Sequence, residues 1–307
     1  MLTKKSGRRL SIYISKTVIL TQRHLELGGK AIISHFTFTP PLIAAADLDN
    51  MACFIFPIQT KGNLYRADGK TEVSSDQGVL MKCGTYVNKW EGIDEKKVSE
   101  VVILRLHPEL MQKVLESTPV PTIHNKAEVG PTNAVVELDV LLSKYLDGLF
   151  FYFDNQELAT EELIRLKIKE LTLLLINSRN PNPIIELLSS LFRKEKYTLK
   201  QMVDANFLED LSLDEMASIA NMSASTFKRK FKTEFDTTFS RYIMAKRLKK
   251  ASDLLIRKSK ATIAEIAYDC GFNDPAYFTK SFKKQYGKSP TLFRDETLSQ
   301  TILGWKA

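Results

Sequence analysis

The spacing of hydrophobic and polar positions along the chain changes near residue 125. Before that point, short apolar segments alternate with clusters of Gly, Pro, Asn and Asp, which is typical of β-strands joined by turns. Strands are predicted over 31–38, 51–57, 78–81 and 101–106, with turns at 39–41, 61–63 and 67–70. Beyond residue 125, apolar residues recur every three or four positions, as on one face of an α-helix. The chain is therefore predicted to be α+β, with a small barrel or sandwich first and helices afterwards.

Two apolar helices are predicted between about residues 138 and 180. Such helices either complete the core of the β unit or form a dimer interface, and the pattern leaves both alternatives open. The interface residues would be Leu138, Leu141, Leu142, Tyr145 and Leu149. The sequence Asn-Pro-Asn-Pro at 180–183 is interpreted as a break. The predicted organisation is a β-rich domain (1–125), a helical segment (126–190) and a second, all-helical domain (191–307).

A helix-turn-helix pattern occurs twice after residue 197. Capping boxes at 212–215 and 262–265 each begin a short helix, and tight turns follow at 221–223 and 271–273. The second helices begin at Ser223 and at Asp274-Pro275, and each buries three aromatic residues. Those triplets are Phe227, Phe231, Phe235 and Phe278, Phe282, Tyr286. A long helix over 239–258 separates the copies, and a closing helix begins at Ser289-Pro290. Two copies with matching caps, turns and aromatic residues indicate a repeated motif.

The second helix of each copy has a polar and basic face opposite its aromatic residues. In the first copy this face contains Ser225, Arg229 and Lys232. The equivalent positions of the second copy are Ala276, Lys280 and Lys283. Hydrogen-bond donors and cations on such a helix suit the major groove of DNA. The alternative is an ordinary solvated surface, which a doubled motif makes less favoured.

The charge of the chain is unevenly distributed. The formal net charge is +8, and residues 1–190 contain 22 Lys and Arg against 22 Asp and Glu. Residues 191–307 contain 22 against 14, so the whole excess lies in the last part of the chain. A basic domain behind a neutral one indicates a polyanion as the partner of the basic domain.

Several classes of protein are disfavoured by the composition. No run of 18 apolar residues occurs, and the basic N-terminus (Lys4, Lys5, Arg8, Arg9) lacks the apolar region of a signal peptide. Three scattered cysteines suit a reducing compartment, so we expect a cytoplasmic protein without membrane contact. The four histidines, His24, His35, His107 and His124, form no metal-binding spacing, and no nucleophile elbow or phosphate loop is present. We therefore predict no enzyme activity, no metal and no cofactor.

The second copy resembles the signature of the AraC/XylS family of bacterial transcription regulators, and the resemblance spans about residues 195–297. It rests on Ile263-Ala264-Glu265-Ile266-Ala267, Gly271-Phe272, Tyr277-Phe278, Phe282-Lys283, Gly287-Lys288-Ser289-Pro290 and Phe293-Arg294. The resemblance implies that residues early in each recognition helix read bases. These are Ser223, Ala224, Ser225, Lys228 and Arg229 in the first copy and Asn273, Asp274, Ala276, Tyr277 and Lys280 in the second, with Lys232 and Lys283 beside them. Alanine and proline side chains donate no hydrogen bonds, so Lys228 and Arg229 are expected to supply more of the specificity.

The first half of the chain, β-rich and then helical, is similar to the cupin-like regulatory and dimerisation domain of this family and to the ExsA-type regulatory domain. The resemblance implies a homodimeric transcription activator that binds double-stranded DNA and works with RNA polymerase. Its effector is either a small ligand in the β unit or a protein partner on the helices. The rival function is an interaction module that binds a regulator without touching DNA.

Overall fold

The computed structural model describes residues 19–47, 51–82, 84–94, 98–116, 132–191, 196–258 and 260–304. The chain divides into two compact units, Met1–Tyr197 and Thr198–Ala307. Cys83, His124 and the four basic N-terminal residues lie outside the described part. None of the helices in the described ranges has the length and apolar character needed to span a membrane.

The first unit begins with two antiparallel β-sheets. One has the strand order β1-β2-β9-β4-β7-β10 and the other β3-β8-β5-β6. The strands are β1 (Ile19–Leu27), β2 (Lys30–Phe38), β3 (Leu42–Asp47), β4 (Ala52–Ile58), β5 (Thr60–Arg66), β6 (Gly69–Val73), β7 (Gln77–Met81), β8 (Thr85–Gly92), β9 (Ser99–Leu106) and β10 (Asn133–Glu137). Buried side chains of both sheets, among them Phe38, Tyr86 and Trp90, form one core between them. The four predicted strands correspond to β2, β4, β7 and β9.

Four α-helices occur among the described residues of the first unit: α1 (Pro108–Glu116), α2 (Val140–Asp154), α3 (Glu161–Ile176) and α4 (Asn182–Ser189). Their apolar faces join a second core with the outer side of the six-stranded sheet. Leu142, Tyr145 and Leu149 are buried there, so these three residues complete the core of their own chain. Leu138 is half-buried against the same core, whereas Leu141 is 63% exposed.

One local prediction in this unit was wrong. Residues 61–63 lie inside β5 rather than in a turn, and a Cβ atom on Gly62 would come within 2.4 Å of the Trp90 ring. Glycine is needed at position 62 because the indole of Trp90 packs against the strand, and not because the chain turns there. The break predicted at 180–183 overlaps the non-helical residues 177–181, which separate the end of α3 at Ile176 from α4, and α4 begins at Asn182 with Pro183 in its first turn. Proline is tolerated at that position, where no intrahelical N–H bond is needed.

The second unit consists of seven helices in its described part. They are α5 (Leu199–Asn206), α6 (Leu213–Ile219), α7 (Ala224–Phe235), α8 (Phe239–Arg257), α9 (Ile263–Asp269), α10 (Pro275–Tyr286) and α11 (Pro290–Gly304). The doubled helix-turn-helix is thus confirmed as α6–α7 and α9–α10, with α8 between them. Helix α5 was not predicted, although Thr198 and Gln201 form a capping box at its start.

Candidate nucleic-acid interface

The same type of turn connects the two helices of each pair. One residue in each turn adopts the left-handed conformation: Asn221 at φ 51° in the first copy and Gly271 at φ 77° in the second. The amide that follows donates to a carbonyl three positions before the helix cap, from Met222 to Ala217 at 2.9 Å and from Phe272 to Ala267 at 3.0 Å. This is the Schellman arrangement, which fixes the direction of the chain as it leaves a helix. The two recognition helices therefore leave their turns in equivalent ways.

Reciprocal capping boxes fix the starts of α6 and α9. In the second copy, the amide of Glu265 donates to Thr262 Oγ1 at 3.1 Å, and the amide of Thr262 donates to the Glu265 carboxylate at 2.6 Å. Ser212 and Glu215 repeat this pattern at 3.2 and 2.7 Å. The bond from the Thr262 amide lowers the pKa of the Glu265 carboxyl below its usual value.

Equivalent aromatic residues of the two copies lie 51 positions apart. The repeated unit also extends beyond the two helices that the sequence pattern indicated. Phe231 packs edge-on to Tyr242 at 5.5 Å between ring centres, and Phe282 packs in the same way on Phe293 at 5.4 Å. Tyr242 lies in α8 and Phe293 in α11, so the start of α8 is the counterpart of the start of α11. Each copy is therefore a three-helix unit. The signal was present in the sequence as Thr238 and Ser289, two capping residues 51 positions apart.

The twelve residues predicted to face DNA lie on α7 and α10 or just before them. Each helix has 12 residues and turns its aromatic side toward the core. Ser223 caps α7 by accepting from the Thr226 amide, and Asp274 caps α10 by accepting from the Ala276 amide at 2.8 Å. Eleven of the twelve residues are exposed, Tyr277 at 54%, and Ala224 is half-buried. The fold thus presents both predicted surfaces to solvent.

The cations of these two surfaces are not neutralised from within the chain. In the described part of the structure no carboxylate lies within ion-pair distance of Lys228, Arg229, Lys232, Lys280 or Lys283. Elsewhere in the second unit many lysines are paired: Lys200 and Lys246 with Asp204, Lys249 with Asp253, Lys258 with Asp269 and Lys288 with Glu296. A solvated helix face commonly mixes both signs of charge. These two faces instead have unpaired positive charge, which attracts an external anion.

His24 and His35 of the first unit form hydrogen bonds with side chains of neighbouring strands. His24 Nδ1 lies 2.8 Å from Ser34 Oγ, and burial together with Arg105 lowers the pKa of His24. His35 is buried between Arg23 and Glu100, with contacts of 2.9 and 2.7 Å. Among the described residues no three His, Cys, Asp or Glu side chains are grouped as metal ligands would be.

Known proteins match both units. Residues 216–296 match a family model described as a helix-turn-helix domain, and residues 52–187 match one described as an ExsA N-terminal regulatory domain. The chain is 26% identical over 181 residues to the thermoregulatory protein LcrF of Yersinia pestis, covering 57% of this chain and 66% of that protein. It is 34% identical over 99 residues to the transcriptional activator RhrA of Rhizobium meliloti, covering 32% and 31%. It is also 34% identical over 88 residues to the HTH-type transcriptional activator RhaS of Escherichia coli, covering 29% and 31%. Each of these matches spans less than two thirds of the relative's own length.

Proposed function

Since the chain belongs to the AraC family of transcription regulators, we propose that it is a cytoplasmic, sequence-specific DNA-binding activator whose first unit controls the second. One observation supports DNA reading most directly. Two equivalent helices present exposed polar residues and unpaired cations to solvent. Each helix follows the same type of turn and packs on its own copy through equivalent aromatic residues.

We infer that α7 and α10 enter successive major grooves on one side of the duplex. Arg229 has the planar fork that recognises guanine in a bidentate manner, and Lys228 lies beside it on the exposed side of α7. Lys232 and Lys283 occupy equivalent places later in their helices and are assigned to phosphates. In α10, the side chain of Ala276 offers no hydrogen bond to a base, so Tyr277 and Lys280 make the principal contacts of that helix.

Selection of binding sites from a random DNA pool with the full chain tests this assignment. We expect enrichment of two sequence blocks about one helical turn apart, about 10 base pairs. Arg229→Ala should relax the preference at one position of one block by about 1–3 kcal/mol and leave the other block unchanged. Binding without enrichment, which disappears as salt rises, would instead identify a non-specific polyanion binder and end the regulator proposal.

We also propose that the chain forms a homodimer through the outer face of α3. Leu166 and Leu173 are 53% and 38% exposed and line a shallow groove of about 450 Å³ with Leu174. Lys169 and Glu170 lie in the same groove. Glu170 already pairs with Lys167 of its own helix at 2.8 Å, so the proposed contact between two copies is assigned to the exposed apolar side chains of this face.

Sedimentation of two matched variants separates this face from the predicted face of α2. Leu166→Asp with Leu173→Asp should convert the dimer to a monomer, because charge is placed in the apolar groove. Leu141→Asp, at an exposed position of α2, should leave the dimer intact. Dissociation by Leu141→Asp alone would move the interface to α2, where the sequence pattern first suggested it.

For control of the first unit, we propose a protein partner as the effector. Eleven buried side chains occupy the space between the two sheets. We therefore favour a protein partner over a small ligand bound between the sheets. The partner would bind the helical surface. A metabolite that raises the unfolding temperature of the full chain at micromolar concentration would favour the small-ligand alternative instead.

Activation through RNA polymerase is the last part of the proposal. Transcription in vitro from a promoter bearing the selected site should increase when the full chain is added to purified polymerase. Arg229→Ala should reduce that increase at limiting protein concentration, because the variant loses about 1–3 kcal/mol of base recognition at one position of the site. A decrease in transcription with the wild-type chain would identify a repressor.

A further inference from the structure

One arginine of α8 contacts both the segment that leads into the first copy and the turn that leads into α10. Arg247, in the middle of α8, donates from Nε to the carbonyl of Phe207 at 2.7 Å and from one terminal nitrogen to that of Glu209 at 2.9 Å. Its other terminal nitrogen donates to the carbonyl of Gly271 at 2.6 Å. Residues 207–209 lead into the first copy, whereas Gly271 is the turn residue of the second. A single side chain therefore binds backbone from both copies.

The turn residues show that this contact constrains the sequence. Asn221 holds the left-handed position in the first copy, so that turn does not demand glycine. In the second copy, a Cβ atom on Gly271 would lie 2.4 Å from the carbonyl oxygen of Leu208 and 3.1 Å from the guanidinium carbon of Arg247. Glycine is required at 271 because another segment packs against it. We call the contact of Leu208, Arg247 and Gly271 the seam.

Helix α8 packs in both copies: Tyr242 contacts Phe231 of α7, and Leu248, Ala251 and Leu255 lie in the core of the second copy. The seam adds a polar contact between segments of the two copies near the middle of this helix. Arg247 holds three carbonyls at once with a planar group, which fixes rotation as well as distance. Lys246, the preceding residue, strengthens the same region by pairing with Asp204 of α5 and lying 5.5 Å from the Phe207 ring centre.

We propose that the seam, added to the packing of α8 in both copies, fixes the relative rotation of α7 and α10, so that the chain accepts its two sequence blocks at one spacing only. This inference rests on the proposed DNA-reading function and assigns a positioning role to Arg247 and Gly271. One inserted base pair shifts a block by about 3.4 Å and turns it by about a tenth of a helical turn. If α7 and α10 are held rigidly, the protein then loses the base contacts of one helix. If the two helices can rotate relative to each other, both sets of contacts are kept.

The test compares the affinity of the full chain for duplexes in which one or two base pairs are added or removed between the selected blocks. Wild-type chain should bind the altered duplexes about tenfold or more weakly, the cost of losing base contacts of one helix. Gly271→Asn and Arg247→Gln should flatten this dependence to within about threefold. Asparagine tolerates the left-handed conformation, so Gly271→Asn disturbs the seam while keeping the turn.

Asn221→Gly is the matched control, because it changes the equivalent residue away from the seam and should retain the wild-type spacing dependence. Binding to a duplex with a single block verifies that each variant is folded. If Gly271→Asn loses single-block binding, Arg247→Gln and the milder Arg247→Lys decide the outcome. Folded seam variants that keep a sharp spacing dependence would overturn the inference while leaving DNA reading intact. Absence of any selected site for the wild-type chain would instead refute the function on which the inference rests.

Discussion

Removing two equivalent lysines should lower the salt dependence of DNA binding by a defined amount. Lys232 and Lys283 occupy corresponding exposed positions on α7 and α10, and no carboxylate in the described part of the chain pairs with either. In the proposed complex, each would bring a full positive charge to a phosphate and displace one condensed counterion. The logarithm of the binding constant falls against the logarithm of salt concentration with a slope of about 0.9 for each neutralised phosphate.

The double variant Lys232→Ala with Lys283→Ala should therefore reduce that slope by about 1.8. Between about 1 M and about 0.15 M salt, each contact strengthens binding about fivefold, so the pair is worth about 30-fold, or about 2 kcal/mol, at the lower concentration. The ratio between selected and random DNA should stay unchanged, because phosphate contacts position the protein without reading sequence. Fluorescence anisotropy with labelled duplexes across a salt series measures both quantities.

Lys249→Ala is the control for this experiment. Lys249 lies in α8 and pairs with Asp253 at 3.1 Å, so its charge is already offset. Its removal should change the slope little. The reasoning is refuted if Lys249→Ala lowers the slope as much as the double variant does, or if the double variant leaves the slope unchanged.

Three further predictions concern stability and can be read from thermal or denaturant unfolding. Phe282→Ala should cost about 3–5 kcal/mol, because the ring is fully buried at the centre of the second copy, and a loss below about 1 kcal/mol would contradict that packing. Thr262→Ala should cost about 1 kcal/mol, because the Glu265 amide loses its side-chain acceptor. The amide of residue 262 remains in the variant and still lowers the pKa of Glu265, so the contribution of Glu265, present above the usual carboxyl pKa and lost as pH falls through the lowered value, should be reduced but not abolished; a variant without any such pH dependence would contradict this assignment. Gly62→Ala should destabilise the first unit by more than about 1 kcal/mol, because the new methyl group meets the Trp90 ring, and an unchanged midpoint would show that the indole moves aside at little cost.

The doubled motif could be predicted because its determinants are local. A capping box lies within four residues, a Schellman turn within six, and an aromatic face within nine, so each is visible in a short window. The exposed surfaces of α7 and α10 followed directly from the positions of the aromatic residues. The same reasoning placed the four predicted strands.

Features that depend on distant contacts escaped prediction. Gly62 was interpreted as a turn residue, since its neighbour Trp90 lies on another strand 28 positions away. The seam joins Leu208, Arg247 and Gly271, which no local pattern connects. For the apolar residues of α2, periodicity identifies a buried face, but it does not tell whether that face is covered by the same chain or by a second copy.

The strand order of the first unit has a consequence for synthesis. In the six-stranded sheet β2 pairs with β9, and the last strand along the chain is β10. All six strands have therefore been synthesised once translation passes Glu137. Such non-local pairing forms slowly, whereas the short-range contacts of each three-helix copy form fast. Since the chain emerges from its N-terminus, we expect the slow sheets to fold while the second unit is still being translated, which protease digestion of stalled nascent chains would reveal. The ribosome would thus release the DNA-reading unit only after the domain that governs it is already in place.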